Sequence, residues 1–413
     1  MVVPFLILPF STLDCRILLM FTRYKTDSRG RNIPVAKVYT HDEHPIRNSQ
    51  IDKDALWVIR RIQANGEKAY IVGGAIRDLM LGRSPKDFDI ATSASPKQIQ
   101  RLFWNSRIIG RRFRIVHIFF NSKIIEVTTF RSDEENFGEG NNNIFGTMEQ
   151  DSHRRDFSIN SLYYNPQDGH LIDFNDSMAD FEKKRIRSLI PLKYSFTEDP
   201  VRMIRAIKYQ ATTGFSLMLS VRFALWRDHK AISTVSTSRL TDEVSKILAS
   251  GCAEMIFTLL EKYRLLPLIA PCISQYMKFN AMKDDLRELD DRVREARKQG
   301  SRDVSAAEMI SYLARSVIVL ENHELPYDEL RKEVYRQIKV LLAPLTPPNY
   351  EIEKAAEFIL AHLGHRAKRK QTARKKNVKG QKTTSQRKPK KKQGAANVEV
   401  PGDAKSSAEA HDM

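Results

Sequence analysis

From Ile51 to Asn65 the apolar positions Ala55, Leu56, Ile59 and Ile62 recur at helical spacing, and Gly66 ends the run, which predicts an amphipathic helix. A short apolar strand, Ala69–Val72, follows and breaks at Gly73-Gly74 into a helix over Ala75–Leu81 that stops at Gly82. Pro85 and Lys86 lead into a strand carrying Asp87, Phe88, Asp89 and Ile90. Two more apolar runs, Phe113–Phe120 and Lys123–Arg131, read as strands turning at Asn121-Ser122. Residues 21–50 are polar and irregular and read as a lead-in arm, and residues 132–146, rich in Gly, Asn and Glu, as a loop. Beyond them helical periodicity runs to residue 364, with one strand pair expected around Gly169–Phe174 and Arg185–Leu189. The pattern is α+β: a small mixed sheet with helices, then a mainly helical body.

The chain has 413 residues, enough for two or three domains. Its net charge of +18 is concentrated: between His365 and Lys392 there are fourteen Lys or Arg residues and no acid. That tract lacks apolar period and reads as a disordered tail that contacts a polyanion. Three cysteines without paired spacing (Cys15, Cys252, Cys272) support neither a disulfide framework nor a zinc site and suit a reducing cytosol. The apolar runs Val2–Pro9 and Ile17–Met20 are too short and broken for a membrane span and lack the basic start and cleavage site of a signal peptide. Residues 1–19 are read as lying upstream of a start at Met20.

Asp87-Phe88-Asp89 carries the first candidate chemistry. Alternate strand residues share a face, so both carboxylates project together while Phe88 enters the core. Paired acids of this kind can hold Mg²⁺ and a triphosphate. Alone the pattern is commonplace, but it follows Gly73-Gly74, where the backbone can approach phosphates, and Arg77, which can pair with a phosphate oxygen.

The stretch YIVGGAIRDLMLGRSPKDFDIAT resembles the head motif of the polymerase-β-like nucleotidyltransferases, in the branch shared by bacterial poly(A) polymerases and bacterial-type tRNA CCA-adding enzymes. The likeness extends from about Ile51 to about Phe215. It implies that Asp87 and Asp89 are the metal ligands, and that Glu126, in IIEVTTFR, is a third acid completing the site or deprotonating an RNA 3′-hydroxyl. In HRRDFSINSLYY it implies that Arg155 contacts the incoming nucleotide and that Asp156 belongs to the active centre, orienting that arginine; the residues alone also allow Asp156 as a helix cap. In TEDPVRMIRAIKY, the spacing puts Asp199, Arg202 and Arg205 on one helical face. The resemblance makes them readers of the base edge, Asp199 accepting from an exocyclic amino group and Arg202 donating to a ring nitrogen, a pattern that adenine and cytosine share.

Two features favour the polyadenylating side of the family. IIGRRFRIVHIFF resembles an element of bacterial poly(A) polymerases, where CCA-adding relatives usually carry a Gly-Thr-type sequence after the phenylalanine. The polybasic tail suits binding to many RNA ends through counterion release. RNA contacts are therefore expected at Arg111 and Arg112 and, in the tail, at Lys368, Arg369, Lys370, Arg374, Lys375, Lys376, Lys390, Lys391 and Lys392. The expected organisation is an arm over 1–50, a nucleotidyltransferase head over 51–190, a nucleotide-recognition neck over 191–250, an RNA-binding body over 251–364 and the tail over 365–413. The expected activity is template-independent addition of AMP from ATP to RNA 3′ ends with two Mg²⁺ ions, in the cytoplasm and without a membrane partner. The alternatives are a CCA-adding or A-adding tRNA enzyme and a non-catalytic RNA-binding protein.

Overall fold

The computed structural model describes residues 21–26, 30–110, 114–121, 123–132, 145–300 and 304–366. These fall within one compact unit, Met1–Arg366; the second unit, Ala367–Met413, lies outside the described residues. The stretch before the proposed start at Met20, the greater part of the 132–146 loop, Arg111, Arg112 and the tail cations Lys368 to Lys392 also lie outside them.

The head is built on one sheet of nine strands: β1 (Phe21–Thr26), β2 (Asn32–Tyr39), β3 (Ala69–Val72), β4 (Asp89–Thr92), β5 (Ser106–Ile109), β6 (Ile115–Phe120), β7 (Lys123–Thr129), β8 (Tyr163–Asn165) and β9 (His170–Asp173). Their spatial order is β1-β2-β9-β8-β3-β4-β7-β6-β5. All neighbours are antiparallel except β4 and β7, which run parallel. Helix α1 (Lys53–Ala64) packs Ala55, Val58, Ile59 and Ile62 into the head core, and Asp52 caps it by accepting from the Asp54 and Ala55 amides. Helices α2 (Gly74–Met80) and α3 (Pro96–Leu102) follow β3 and β4.

Two expectations are corrected here. Residues 21–39, read as an irregular arm, form β1 and β2. Among the described side chains of this hairpin only Ala36 and Val38 are buried, so its pattern stays polar and hides the strands. The segment at Gly169–Phe174 does not pair with Arg185–Leu189. Instead β9 closes a hairpin with β8 across Asn165–Gly169, where Gly169 N–H donates to Asn165 at 2.9 Å. Strand β10 (Arg185–Ile186) pairs in parallel with β11 (Ser216–Leu217).

Short helices α4 (Met148–His153) and α5 (Ser177–Glu182) complete the head. Then come α6 (Ser195–Glu198), α7 (Val201–Thr213), α8 (Leu219–Asp228), α9 (Thr237–Leu248) and α10 (Ala253–Lys262), with helices continuing to His362. Their apolar faces merge into one core from Phe196 to Leu360 that also takes in Phe157 and Ile159. None of the described helices is long and apolar enough to cross a membrane.

Candidate active site

Strand β4 begins at Asp89, so Asp87 stands in the loop just ahead of it rather than within the strand. The alternation still holds: Phe88 is buried in the head core, while Asp87 is exposed and Asp89 half-buried. In the parallel ladder Asp89 is the register partner of Glu126 on β7, which brings the third acid beside it. On the other side Val72, the last residue of β3, is the partner of Asp89, and the chain turns at once into Gly73. Gly73 has φ 72° and ψ −133°, a conformation that favours glycine. A Cβ there would stand 3.5 Å from Arg155 Nη1 and 3.6 Å from Asp89 Oδ2, so this turn lies directly over the acid and a guanidinium.

Burial pushes the Asp89 carboxyl up to about 6; Glu126 and Asp87 reinforce the rise by repulsion and Arg155 opposes it. Carboxylates that crowd and repel in this way suit a divalent cation. Among the described residues no group of three His, Cys, Asp or Glu side chains is placed to close a metal shell by itself.

Arg155 is firmly held. Its Nη2 donates to Asp151 Oδ2 at 3.2 Å, its Nη1 to the Asn160 carbonyl at 3.3 Å and its Nε to Tyr163 Oη at 3.3 Å. Tyr163 also donates to Asp151 Oδ2 at 2.5 Å. Burial alone would lower the Arg155 pKa, but Tyr163 and Asp151 outweigh it and hold the guanidinium charged. The acid that orients Arg155 is therefore Asp151, four residues earlier and at the end of α4, and not Asp156. The Asp156 carboxylate accepts from the Phe157 amide at 2.9 Å, from Asn160 Nδ2 at 3.1 Å and from Arg205 Nε at 2.7 Å.

The other expected nucleotide contacts are divided. Arg77 Nη1 donates to Asn160 Oδ1 at 3.1 Å, its Nε to Asp78 at 2.9 Å, and its guanidinium lies 4.9 Å from the Tyr209 ring centre. It links α2 to α7. Asp199 is outside the helix it was placed on by spacing, because Pro200 is the N-cap of α7. Asp199 accepts from Arg239 at 3.1 Å, whereas Arg202 turns back to Glu198 at 2.8 Å and to the Ser195 carbonyl at 3.0 Å. Asp151, Asn160, Tyr163 and Tyr209 escape the sequence reading, although the i, i+4 spacing of Asp151 and Arg155 was a usable signal.

Residues 69–187 match the poly A polymerase head domain, the segment that holds the carboxylates, the Gly73 turn and Arg155. The likeness is to this head domain, over that stretch of the chain. A second match, over residues 214–277, is to the probable RNA and SrmB-binding site of polymerase A. Among similar proteins, poly(A) polymerase I of Escherichia coli O6:H1 is 37% identical over 260 residues, covering 60% of this chain and 56% of its own length. The CCA-adding enzyme of Lactobacillus delbrueckii subsp. bulgaricus is 33% identical over 205 residues, covering 49% of this chain and 52% of its own length. The chain thus spans little more than half the length of these relatives. The crystal structure of the Bacillus stearothermophilus CCA-adding enzyme in complex with CTP superposes with a TM-score of 0.51 at 22% identity, covering 75% of this chain and 82% of that one, a likeness of fold.

Proposed function

We infer that this chain extends RNA 3′ ends with AMP taken from ATP. The observation that carries the reading is the convergence of Asp87, Asp89 and Glu126 beside the Gly73 turn and the anchored Arg155.

Asp87 and Asp89 would hold magnesium, with Glu126 assisting. Magnesium there supplies a Lewis acid that makes the RNA 3′-hydroxyl easier to deprotonate and offsets charge on the departing pyrophosphate. Gly73 and Gly74 leave room for the triphosphate against the backbone. Arg155, fixed by Asp151 and Tyr163, presents a preorganised cation to the nucleotide, so little reorganisation is needed during transfer. Glu126, more exposed than Asp89, would accept the hydroxyl proton. Arg77 supports this site from α2. To read the base, Asp199 and Arg202 would have to exchange their contacts with Arg239, Glu198 and the Ser195 carbonyl for the nucleotide, while Arg205 stays on Asp156, and the basic tail would retain RNA.

The family likeness to CCA-adding enzymes supports a second reading, in which C and A are added to tRNA. The full chain, Mg²⁺ and each NTP separately, offered unstructured RNA and tRNA lacking its 3′ end, separate the readings. Long adenylate tracts on either RNA support polyadenylation. Use of CTP with termination after a few additions overturns it in favour of CCA addition. Absence of pyrophosphate release with every RNA leaves a non-catalytic RNA binder.

A further inference from the structure

The open face of the sheet continues beyond Glu126. His117 on β6 is the register partner of Glu126, and Arg107 on β5 is the partner of His117. With Asp89 opposite Glu126, one cross-strand row reads Asp89, Glu126, His117, Arg107, all on the same side of the pleat. His117 Nε2 lies 3.5 Å from Glu126 Oε1, which confirms that the row is in contact where it leaves the acids. The reverse side of these strands, Val116, Ile118, Ile125 and Val127, is buried in the head core.

The neighbouring row on the open side pairs Phe119 with Ile124, each 44% exposed. Neither β5 nor β6 carries a carboxylate. Among the described residues no acid or carbonyl engages the exposed Arg107 guanidinium. The face therefore passes from three acids to a free cation beside an exposed ring over three strand spacings, about 14 Å. A cation that tracks a backbone and a ring that accepts any base are the two elements of sequence-tolerant single-strand binding.

We propose that this face of β5, β6 and β7 is the lane along which the RNA 3′ end reaches the carboxylates, with Arg107 on a backbone phosphate and Phe119 under a base. The lane rests on the reading of Asp87, Asp89 and Glu126 as the transfer site. Its contacts are to the RNA and not to the incoming nucleotide, so RNA and ATP kinetics must separate.

The test uses the full chain with Mg²⁺, ATP and an oligoadenylate primer. Wild-type AMP incorporation establishes the transfer site first. Arg107→Glu and Phe119→Ala, both at exposed positions and checked for unchanged melting, are then expected to raise the KM for RNA about tenfold each. The kcat and the KM for ATP should stay within about twofold, and Arg107→Lys and Phe119→Tyr should recover most of the loss. The log–log salt dependence of RNA affinity should flatten by about one ion for Arg107→Glu. Unchanged RNA KM in both variants, or a rise confined to ATP, overturns the lane. If the wild-type chain incorporates nothing, the transfer reading fails separately. The lane is then judged by photo-crosslinking a 3′-terminal thiouridine: a crosslink in the β5–β7 peptides supports it, and one found only elsewhere overturns it.

Discussion

Asp156 and Arg205 form an ion pair at 2.7 Å across 49 residues of chain, and this pair ties the end of the head to the first long helix after it. Only a tenth of the Asp156 side chain reaches solvent, against about a third of Arg205. Asp156→Ala should therefore leave Arg205 partly buried without a counter-charge and cost ~2–3 kcal/mol, less than a fully buried pair would because Arg205 is partly screened. Burial would raise the Asp156 pKa, but Arg205, Asn160 and the Phe157 amide overcome it and hold the carboxyl below its usual range. A depressed acid stabilises the fold above its unfolded pKa, and that contribution disappears as pH falls through the folded value. The difference in melting temperature between wild type and Asp156→Asn should thus be full near pH 7 and shrink below about pH 4. A constant difference across that range would contradict the assignment.

Asp89 should behave in the opposite sense. Its carboxyl is raised to about 6, first by burial and then by Glu126 and Asp87. A raised acid contributes stability that is complete below its unfolded pKa and is lost as pH rises through the folded one, here between about 4 and 6. In chelator-treated protein at pH 7, Asp89→Asn should raise stability by about 1–2 kcal/mol, allowing for solvent screening. The same variant should abolish AMP incorporation while RNA binding persists. Greater stability combined with lost activity distinguishes a strained metal ligand from a structural acid, and melting curves with a primer-extension assay read both.

The local elements around this site were legible because each follows from neighbouring residues. Phe88 between two acids dictates which way Asp87 and Asp89 face, and the Gly73-Gly74 break marks where the strand gives way to α2. Long-range pairings were not legible. Nothing near Asp156 in sequence indicates Arg205, and HRRD suggests Arg155 as its partner when the chain turns that arginine toward Asp151. The error at Asp199 has a local cause: helical spacing carried the pattern back through Pro200, although proline at a helix start marks the boundary. Strands β1 and β2 escaped because so few of their described side chains enter the core.

Arg155 supplies the sharpest test of preorganisation. Asp151 accepts from both Arg155 and Tyr163, so Asp151→Asn weakens two contacts with one change and leaves the side-chain shape intact. If Arg155 contacts the nucleotide, kcat/KM for ATP should fall about 10–100-fold, equivalent to about 1.4–2.7 kcal/mol of lost transition-state stabilisation. The RNA KM should change little. Tyr163→Phe, which retains Asp151, should lose less. A larger loss in Tyr163→Phe than in Asp151→Asn would show that the ring, and not the acid, positions the guanidinium.

The two adjacent glycines should respond differently to the same methyl group. Gly74 is the first residue of α2 with no positive φ, and a Cβ there would meet Arg77 Nη2 at 3.5 Å, ordinary contact. Gly74→Ala should keep stability or raise it by about 0.5–1 kcal/mol through helix propensity and a less disordered unfolded chain. Gly73 has φ 72°, so Gly73→Ala should lose about 2 kcal/mol to backbone strain even though the added carbon clashes with nothing. The same carbon would sit between Arg155 and Asp89, where the triphosphate would approach, so the KM for ATP should rise more in Gly73→Ala than in Gly74→Ala. Equal melting temperatures for the two variants would remove the strain argument, and an ATP KM that rises only in Gly74→Ala would move the phosphate contact from the turn to the first residue of the helix.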